Sequence, residues 1–345
     1  MKDYLKEFAT AAAHTTWMSS ENYITPSVAY ITENGGSVDY HIPYDYNKDY
    51  LTFTALQDTK FTFTQNTLQY SLDDGDTWTS LTANTASPIV TTGNKILWKA
   101  TLTPSSTSPR GIGTFSSTSG NFDVSGNIMS LLFGDNFIGQ TDLTGKDYAF
   151  NSLFNGNTKL INAENLVLPA TILSQHCYEA MFNSCTKLTT APDLPATTLA
   201  YYCYDQMFYG CTLLTTAPEL PATTLANFCY MSMFEGCGLL TAPELPATTL
   251  RQACYYQMFK GCGSLTTAPE LPAAKLDNDC YYQMFYNCTS LNYIKCLATN
   301  KTASSCTTGW VNNVAVTGTF IKDANTSWQG GSDAIPYGWT IQNAA

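Results

Sequence analysis

The chain has 345 residues, of which 44% are hydrophobic and only 12% charged, and its 16 basic and 27 acidic side chains give a formal net charge of −11. This composition suffices to bury a core over two or three structural units, and its aromatic and β-branched content excludes a disordered chain. So acidic a chain lacks the basic surface that neutralises phosphates, which argues against nucleic-acid binding as its main role.

The sequence contains no recognisable secretory signal or membrane span. Charged residues interrupt the first eight positions, where a secretory signal needs an unbroken apolar run. The most apolar stretch, residues 128–133, is far shorter than the roughly 18 residues that cross a bilayer. We therefore expect a protein that is made in a cytoplasm and does not insert into a membrane.

Residues 1–48 are predicted to form an attachment and oligomerisation segment. Residues 2–13 carry apolar side chains at helical spacing, which predicts a short helix that is either a frayed terminus or a docking peptide. Two alternating runs follow, at 24–31 and 37–42, separated by a Glu-Asn-Gly-Gly sequence. This pattern predicts a β-hairpin.

Residues 49–145 are predicted to form a small β-sandwich that acts as a spacer. Alternating segments separated by turn residues predict its strands at 51–56, 59–64, 68–72, 78–81 and 95–102. Residues 71–78 match the Ser-x-Asp-x-Gly-x-Thr-Trp pattern of an Asp-box, a hairpin found in sialidases and many other β proteins. A single copy predicts a turn, and the two arginines of the chain are too few for the three-arginine clamp of a sialidase.

An internal repeat occupies residues 146–295. Five near-identical units with a period of 25 or 26 residues begin at Cys177, Cys203, Cys229, Cys254 and Cys280, and a degraded copy precedes them. We assign the one shorter period to Thr241, which stands where other units have a Thr-Thr pair. Each unit reads Cys-Tyr-x-x-Met-Phe-x-Gly-Cys-x-x-Leu-Thr-Thr-Ala-Pro-Glu-Leu-Pro, a short helical pattern followed by an extended, proline-rich segment. Such small units are predicted to stack around one shared core of leucine, methionine and phenylalanine.

The twelve cysteines are predicted to be mostly buried and reduced. Those within a unit are about 12 Å apart if the segment is helical, beyond the roughly 7 Å limit for a disulfide. No Cys-x-x-Cys or Cys/His cluster suits zinc, and no metal or cofactor is expected. Cys296 and Cys306, which follow the repeats, are the only pair considered for a bridge.

The Met-Phe-x-Gly-Cys-x-x-Leu motif at this period resembles the leucine-rich repeat of BspA-family surface proteins, which are abundant in gut Bacteroidales and their phages. The resemblance covers about 146–295 and implies a leucine-rich solenoid used for adhesion, without catalytic residues. The Ile-Thr-Pro-x-Val-x-Tyr sequence of residues 24–30 also resembles the N-terminal segment of virion proteins from such phages. With 296–345 as a C-terminal cap, the predicted fold class is mixed β and α+β: a hairpin and a small sandwich, then the solenoid.

The candidate binding residues are repeat positions that vary or form a column. No catalytic constellation is visible, because the three histidines are isolated and no phosphate-binding loop or nucleophile elbow occurs. One candidate group is suited to stacking on sugar rings and comprises Tyr201, Tyr202, Tyr256, Tyr282 and Tyr286. A second is an acidic column for a cation or glycan hydroxyls, formed by Asp193, Glu219, Glu244 and Glu270. The alternatives are tyrosines that cover the core and acids that keep the surface soluble.

Together these features are interpreted as a non-enzymatic binding protein, a phage virion fibre or decoration protein. Its N-terminus is expected to attach to a capsid or tail protein, and its repeats to a host-surface or mucin glycan. A homotrimer is expected, because fibres are commonly symmetric oligomers. The alternatives are a bacterial cell-surface adhesin of the same repeat family and, from the Asp-box, a glycan-processing enzyme.

Overall fold

The structure is a computed structural model that describes residues 6–8, 28–33, 36–41, 45–104 and 111–344, with side chains described from residue 45 onward. The chain divides into two units, Met1–Asp49 and Tyr50–Ala345. Within the described ranges, no helix has both the length and the apolar character needed to cross a membrane.

The first unit contains a three-stranded sheet in the order β1 (Lys6–Phe8), β2 (Val28–Glu33) and β3 (Gly36–His41), followed by a 3-10 turn at Tyr46–Lys48. The predicted hairpin is present, since β2 and β3 pair antiparallel up to Glu33 and Gly36. The helix predicted over 2–13 is wrong at β1, which pairs parallel with β2. A short isolated helix has only marginal stability in water, whereas a strand that pairs with the edge of a hairpin forms hydrogen bonds between its backbone groups and those of the hairpin. The rest of that segment, and residues 24–27, lie outside the described residues.

The second unit begins with a six-stranded mixed sheet in the order β11-β10-β4-β8-β6-β7, and with a separate pair, β5 and β9. Strand β10 pairs antiparallel with β4 and parallel with β11. The strands are β4 (Leu51–Ala55), β5 (Phe61–Phe63), β6 (Leu68–Ser71), β7 (Thr79–Leu81), β8 (Lys95–Lys99), β9 (Phe115–Ser117), β10 (Phe122–Asn127) and β11 (Leu160–Val167). Helix α1 (Ser130–Phe133) and a 3-10 turn at Gly134–Asn136 follow β10.

The core of this sheet is aromatic and continues into the repeats. Alternation along β4 points Phe53 inward, where its ring centroid lies 4.8 Å from that of Phe115 and 5.6 Å from that of Trp98. Phe53 also lies 5.9 Å from Phe154, which belongs to the first repeat unit. One hydrophobic cluster therefore extends from the strands through the repeats.

Each repeat unit is a coil of linked turns. The amide of Tyr178 donates to the carbonyl of Cys203 in the next unit at 3.0 Å, whereas the amide of Met181 donates back to Tyr178 at 3.2 Å. The same alternation between the neighbouring unit and the unit's own turns recurs from the degraded copy onward. Isolated parallel bridges, such as those joining Ile172, Thr198 and Thr224, connect the proline-rich segments.

The predicted fold class is wrong, both for the helical part of the leucine-rich solenoid and for the sandwich. Every fourth residue of a coil has positive φ, as at His176 (56°), Ala180 (51°) and Ser184 (58°), and a right-handed helix cannot continue through such residues. The one α-helix in the described part of the chain is α1, which has four residues and lies outside the repeats. No separate sandwich forms, because β11 carries the sheet beyond residue 145.

The short repeat period has a different cause from the one that the sequence indicated. Thr241 bridges to Thr216 in normal register, and Leu239 is fully buried like the repeat leucines. The missing residue therefore precedes Leu239, next to Gly238. A Cβ on Gly238 would lie 2.4 Å from the carbonyl oxygen of Thr212, so this tightened loop requires glycine.

Ladders of identical residues fill the coils. Buried tyrosines stack with ring centroids 5.7–6.1 Å apart at Tyr178, Tyr204, Tyr230, Tyr255 and Tyr281. All twelve cysteines are free and buried, including Cys296 and Cys306, so the bridge considered for this pair is not formed. Burial raises the pKa of Cys203 to about 12, as expected for an unreactive thiol.

The turn pattern continues beyond residue 295. The amide of Phe285 donates to the carbonyl of Trp310 at 2.8 Å, and the Trp310 ring stacks on Tyr281 with centroids 6.1 Å apart. A further coil therefore follows the six units. Beside it, β12 (Tyr293–Cys296), β13 (Thr319–Lys322) and β14 (Thr340–Asn343) form a parallel sheet in that order.

Candidate functional site

An aromatic ladder lies on the surface of the first four coils. It consists of Tyr148, His176, Tyr202 and Phe228, each just before the first cysteine position of its unit. Successive ring centroids are 4.4, 5.1 and 4.6 Å apart, with interplanar angles of 2°, 13° and 14°. These rings are stacked face to face on one another, so the inner rings offer solvent their edges.

The backbone explains why the rings are parallel. All four ladder residues have φ between 54° and 59°, the left-handed region that bulky residues rarely adopt. Ala253 and Asp279 occupy the same column and have φ of 50° and 56°, so the conformation belongs to the repeat rather than to the aromatic side chains. Identical backbone geometry at each unit aims the four rings in one direction.

Tyr201 lies across this ladder. Its ring is nearly perpendicular to that of Tyr202, at 89° with centroids 4.3 Å apart, and its centroid lies 5.5 Å from Phe228. Since the faces of Tyr202 are covered by its ladder neighbours, one face of Tyr201 covers ring edges and the other faces outward. Tyr201 is 43% exposed, so this face is available to a ligand.

Two carboxyl groups lie in a neighbouring column, the second residue after the cysteine position. The imidazole Nδ1 of His176 donates to Glu179 Oε2 at 2.6 Å, and Asn151 Nδ2 donates to the same oxygen at 3.0 Å. Asp205 occupies the equivalent position in the next unit and is buried. Burial, and then the charge of Glu179, raises the pKa of Asp205 to about 8. Burial likewise raises the pKa of Tyr202 to about 12.

The structure places the predicted tyrosines in three positions. Tyr201 and Tyr202 belong to the surface around the ladder. Tyr256 and Tyr282 form a separate partly buried stack, with centroids 4.6 Å apart, in the same column as the two carboxyl groups. Tyr286 is also partly buried and makes no ring contact with another described residue.

The predicted acidic column lies on the proline-rich segments, and its four carboxyl side chains are exposed. Glu219 and Glu244 border a shallow groove of about 380 Å³, and Glu244 and Glu270 border another of about 390 Å³, both with proline walls. Asp193 lines neither groove, and Glu270 forms an ion pair with Lys295 at 2.8 Å. Among the described residues, no group of three His, Cys, Asp or Glu side chains is placed to hold a metal ion.

The Asp-box is a self-contained turn. The Asp73 carboxylate accepts hydrogen bonds from Ser71 Oγ at 2.7 Å and from the Thr77 amide at 2.9 Å. The Thr77 hydroxyl, as the main cause, lowers the pKa of Asp73 to about 2. Trp78 packs against Tyr50 with centroids 4.8 Å apart. The polar atoms of the motif are used in forming the hairpin.

Sequence reasoning missed most of the residues around Tyr201 as members of one site. They are Tyr148, His176, Phe228, Glu179 and Asp205. A signal was present, because aligning the units by their first cysteine position places an aromatic residue just before it in four successive units. The proximity of the two carboxyl groups had no such signal, since the other units have asparagine, methionine or tyrosine at this position.

Comparison of the chain with protein-family models, with curated proteins and with solved structures finds no match. The resemblance to BspA-family repeats therefore rests on the sequence motif alone, and the function has to be argued from the geometry of the site.

Proposed function

We propose that the protein is a non-enzymatic glycan-binding protein and that Tyr201, with the aromatic ladder beneath it, is the contact surface. The observation that carries this proposal is the outward face of Tyr201, whose ring centroid lies 5.7 Å from that of His176, the hydrogen-bond partner of the Glu179 carboxylate. Sugars bind proteins by packing their apolar ring faces on aromatic rings while polar groups accept their hydroxyl hydrogens.

The support beneath Tyr201 is rigid, which favours binding. The amide of each ladder residue donates to a main-chain carbonyl of the next unit, and the His176 amide donates to that of Tyr201 itself at 3.0 Å. The rings beneath Tyr201 are themselves stacked. A surface held in its binding conformation loses little conformational entropy when a ligand arrives.

For the biological setting we propose a phage virion fibre or decoration protein that contacts the host surface. Support comes from the resemblance of residues 24–30 to virion proteins and of the repeat motif to surface repeats. In this proposal the first unit attaches to a capsid or tail protein, as a trimer. Mass spectrometry of purified virions tests the setting, and detection of the chain in a bacterial envelope instead would favour the adhesin.

A glycan array tests the binding function. The native protein is expected to bind a subset of mucin-type or bacterial surface glycans, and Tyr201→Ala to lose at least about tenfold in affinity for them, because the stacking ring is gone. Tyr209→Ala is the matched control, since Tyr209 is 37% exposed but lies in another column. A native protein that binds no glycan, or a Tyr201→Ala variant that binds as well as native, would refute the proposal.

A further inference from the structure

One carboxylate oxygen of Glu179 accepts no hydrogen bond from the described residues. Its Oε2 accepts from both His176 and Asn151, whereas no donor within the described residues reaches its Oε1. The Glu179 side chain is 27% exposed, and the ring of its partner His176 contacts that of Tyr201 edge to face with centroids 5.7 Å apart. The two donors fix the orientation of the carboxylate.

Asp205 holds the position of Glu179 in the next unit, is close enough for the charge of Glu179 to raise its pKa, and has one carboxyl oxygen without a hydrogen-bond donor. The residue is 4% exposed, and its Oδ1 has no hydrogen-bond partner. A buried carboxyl oxygen without a donor is costly to the fold. The repeat itself does not require an acid here, because later units carry Met231, Tyr256 and Tyr282 at this position. The presence of a carboxyl group at this position is therefore not explained by the folding of the repeat.

The two acids have no lysine or arginine partner in the part of the chain that the structure describes. The other titratable groups nearby are His176, bonded to Glu179, the Asp147 carboxyl close to Tyr148, and the phenols of Tyr148, Tyr201 and Tyr202. The surroundings thus combine two acids with aromatic rings, the combination that favours an organic cation.

We infer that the glycan bound at this face carries a free ammonium group, as a non-acetylated amino sugar does, and that its N–H hydrogens are accepted by Glu179 Oε1 and, after a side-chain rotation that uncovers it, by Asp205 Oδ1. The inference rests on the proposed glycan-binding function and names its ligand class. The sugar ring stacks on Tyr201, and the ammonium points toward the carboxyl groups. An ammonium suits two acceptors and aromatic faces, whereas a metal ion needs more ligands than this site supplies.

Binding of a cation should change the protonation of Asp205. Its pKa of about 8 means that the carboxyl is mostly protonated at pH 7. An ammonium placed between the two acids favours the ionised form, so the Asp205 proton leaves to solvent as the ligand binds. Binding at pH 7 is therefore coupled to release of up to one proton.

Calorimetry with two sugars tests this. The glucosamine tetramer and its fully N-acetylated counterpart are titrated into the full chain at about pH 6, where the sugar amines are already mostly ammonium and Asp205 is protonated, in phosphate and in MES, so that buffer ionisation heats reveal proton release. The amine is expected to bind at least about tenfold more tightly, or about 1.4 kcal/mol, and to release a proton. In Asp205→Asn that preference and the proton release should be lost. Glu179→Gln is the second variant, and Glu164→Gln is a control at an exposed acid that belongs to no candidate binding group.

The outcomes separate this inference from the proposed function. Equal affinity of the native protein for both tetramers, or unchanged amine binding in both variants, overturns the inference. If the array finds neutral glycans whose binding depends on Tyr201 while the glucosamine tetramer does not bind, the glycan-binding function is supported and the ammonium site is refuted. If no glycan binds at all, both are refuted.

Discussion

The thiol of Cys211 donates a hydrogen bond to the carbonyl oxygen of Phe182 in the preceding unit, with Sγ and O 3.1 Å apart. The second cysteine of each following unit makes the same bond at 3.0 Å. In the degraded first unit Asn157 takes this position, and its Nδ2 donates to Phe115 O at 3.4 Å. The position therefore requires a donor that reaches a backbone carbonyl outside its own unit, and cysteine supplies it without adding an ionised group to the core.

Removing this donor should destabilise the protein measurably. Cys211→Ala leaves the Phe182 carbonyl unpaired and a small void, and we expect a loss of about 1–3 kcal/mol in the free energy of unfolding. Cys203→Ala is the matched control, because Cys203 is equally buried but its Sγ lies 4.0 Å from the nearest acceptor carbonyl. Urea unfolding should show the larger loss for Cys211→Ala. Equal losses would mean that the thiol contributes volume and no hydrogen bond.

Gly238 provides a second test, since it marks the shortened loop. Gly238→Ala places a Cβ 2.4 Å from the Thr212 carbonyl, and we expect a loss of about 2 kcal/mol or more from the forced backbone shift. Gly263 holds the same position in the next unit, and the nearest atom to its Cβ would be Thr289 Oγ1 at 3.5 Å. Thermal unfolding of Gly263→Ala should therefore differ little from native. Similar melting temperatures for the two variants would contradict the placement of the deletion.

Strands β4 to β8 were predictable because alternation of apolar residues carries the needed information, whereas β9 and β10 fall in no predicted segment. Each of β4 to β8 falls within a predicted segment. The partner of β10 was not predictable, since β11 lies 33 residues further on and pairs through backbone groups that the sequence does not mark. That pairing joins the spacer and the repeats in one sheet.

The sequence did not reveal the coil geometry, because the apolar residues of the coils have nearly the same spacing as those of an α-helix. Apolar residues at Tyr178, Met181 and Phe182 have helical spacing, yet they belong to turns in which every fourth residue is left-handed. Nothing marks Ala180 or Gln206 as left-handed from local sequence, because Gly and Asn are the usual residues there. The stacking of units imposes this conformation, and it was therefore visible only in three dimensions.

The absence of helix from the coils predicts a spectroscopic result. Far-UV circular dichroism of the protein should lack the paired minima of α-helix, because the coils consist of turns and isolated bridges. The repeats make up much of the chain, so the spectrum can be recorded on the whole protein and an isolated repeat fragment is not needed. A spectrum with substantial helix would contradict the coil geometry and restore the helical interpretation of the repeat.

Asp205 makes stability depend on pH in a defined direction. Its pKa is about 8 in the folded protein against 3.8 for the ordinary carboxyl, so the unfolded chain ionises first as pH rises. The contribution of Asp205 is fully present below about pH 4 and is lost toward pH 8, by at most about 1.4 kcal/mol for each pH unit. The Asp205→Asn variant has no ionisable group at this position, so it does not undergo this loss of stability as pH rises. Its stability relative to native should therefore increase from pH 4 to pH 8 and then level off.

Urea unfolding of native protein and Asp205→Asn at intervals between pH 4 and pH 9 measures this difference. Asp193→Asn serves as the control, because it removes one negative charge from an exposed position and should show no comparable trend. The same unfolding measurements are repeated in the presence of the glucosamine tetramer. If it binds as inferred, it should reduce the advantage of Asp205→Asn at pH 8, because it stabilises the ionised carboxyl of the native protein alone. A pH-independent difference between native and Asp205→Asn would show that this carboxyl is solvated in the folded state.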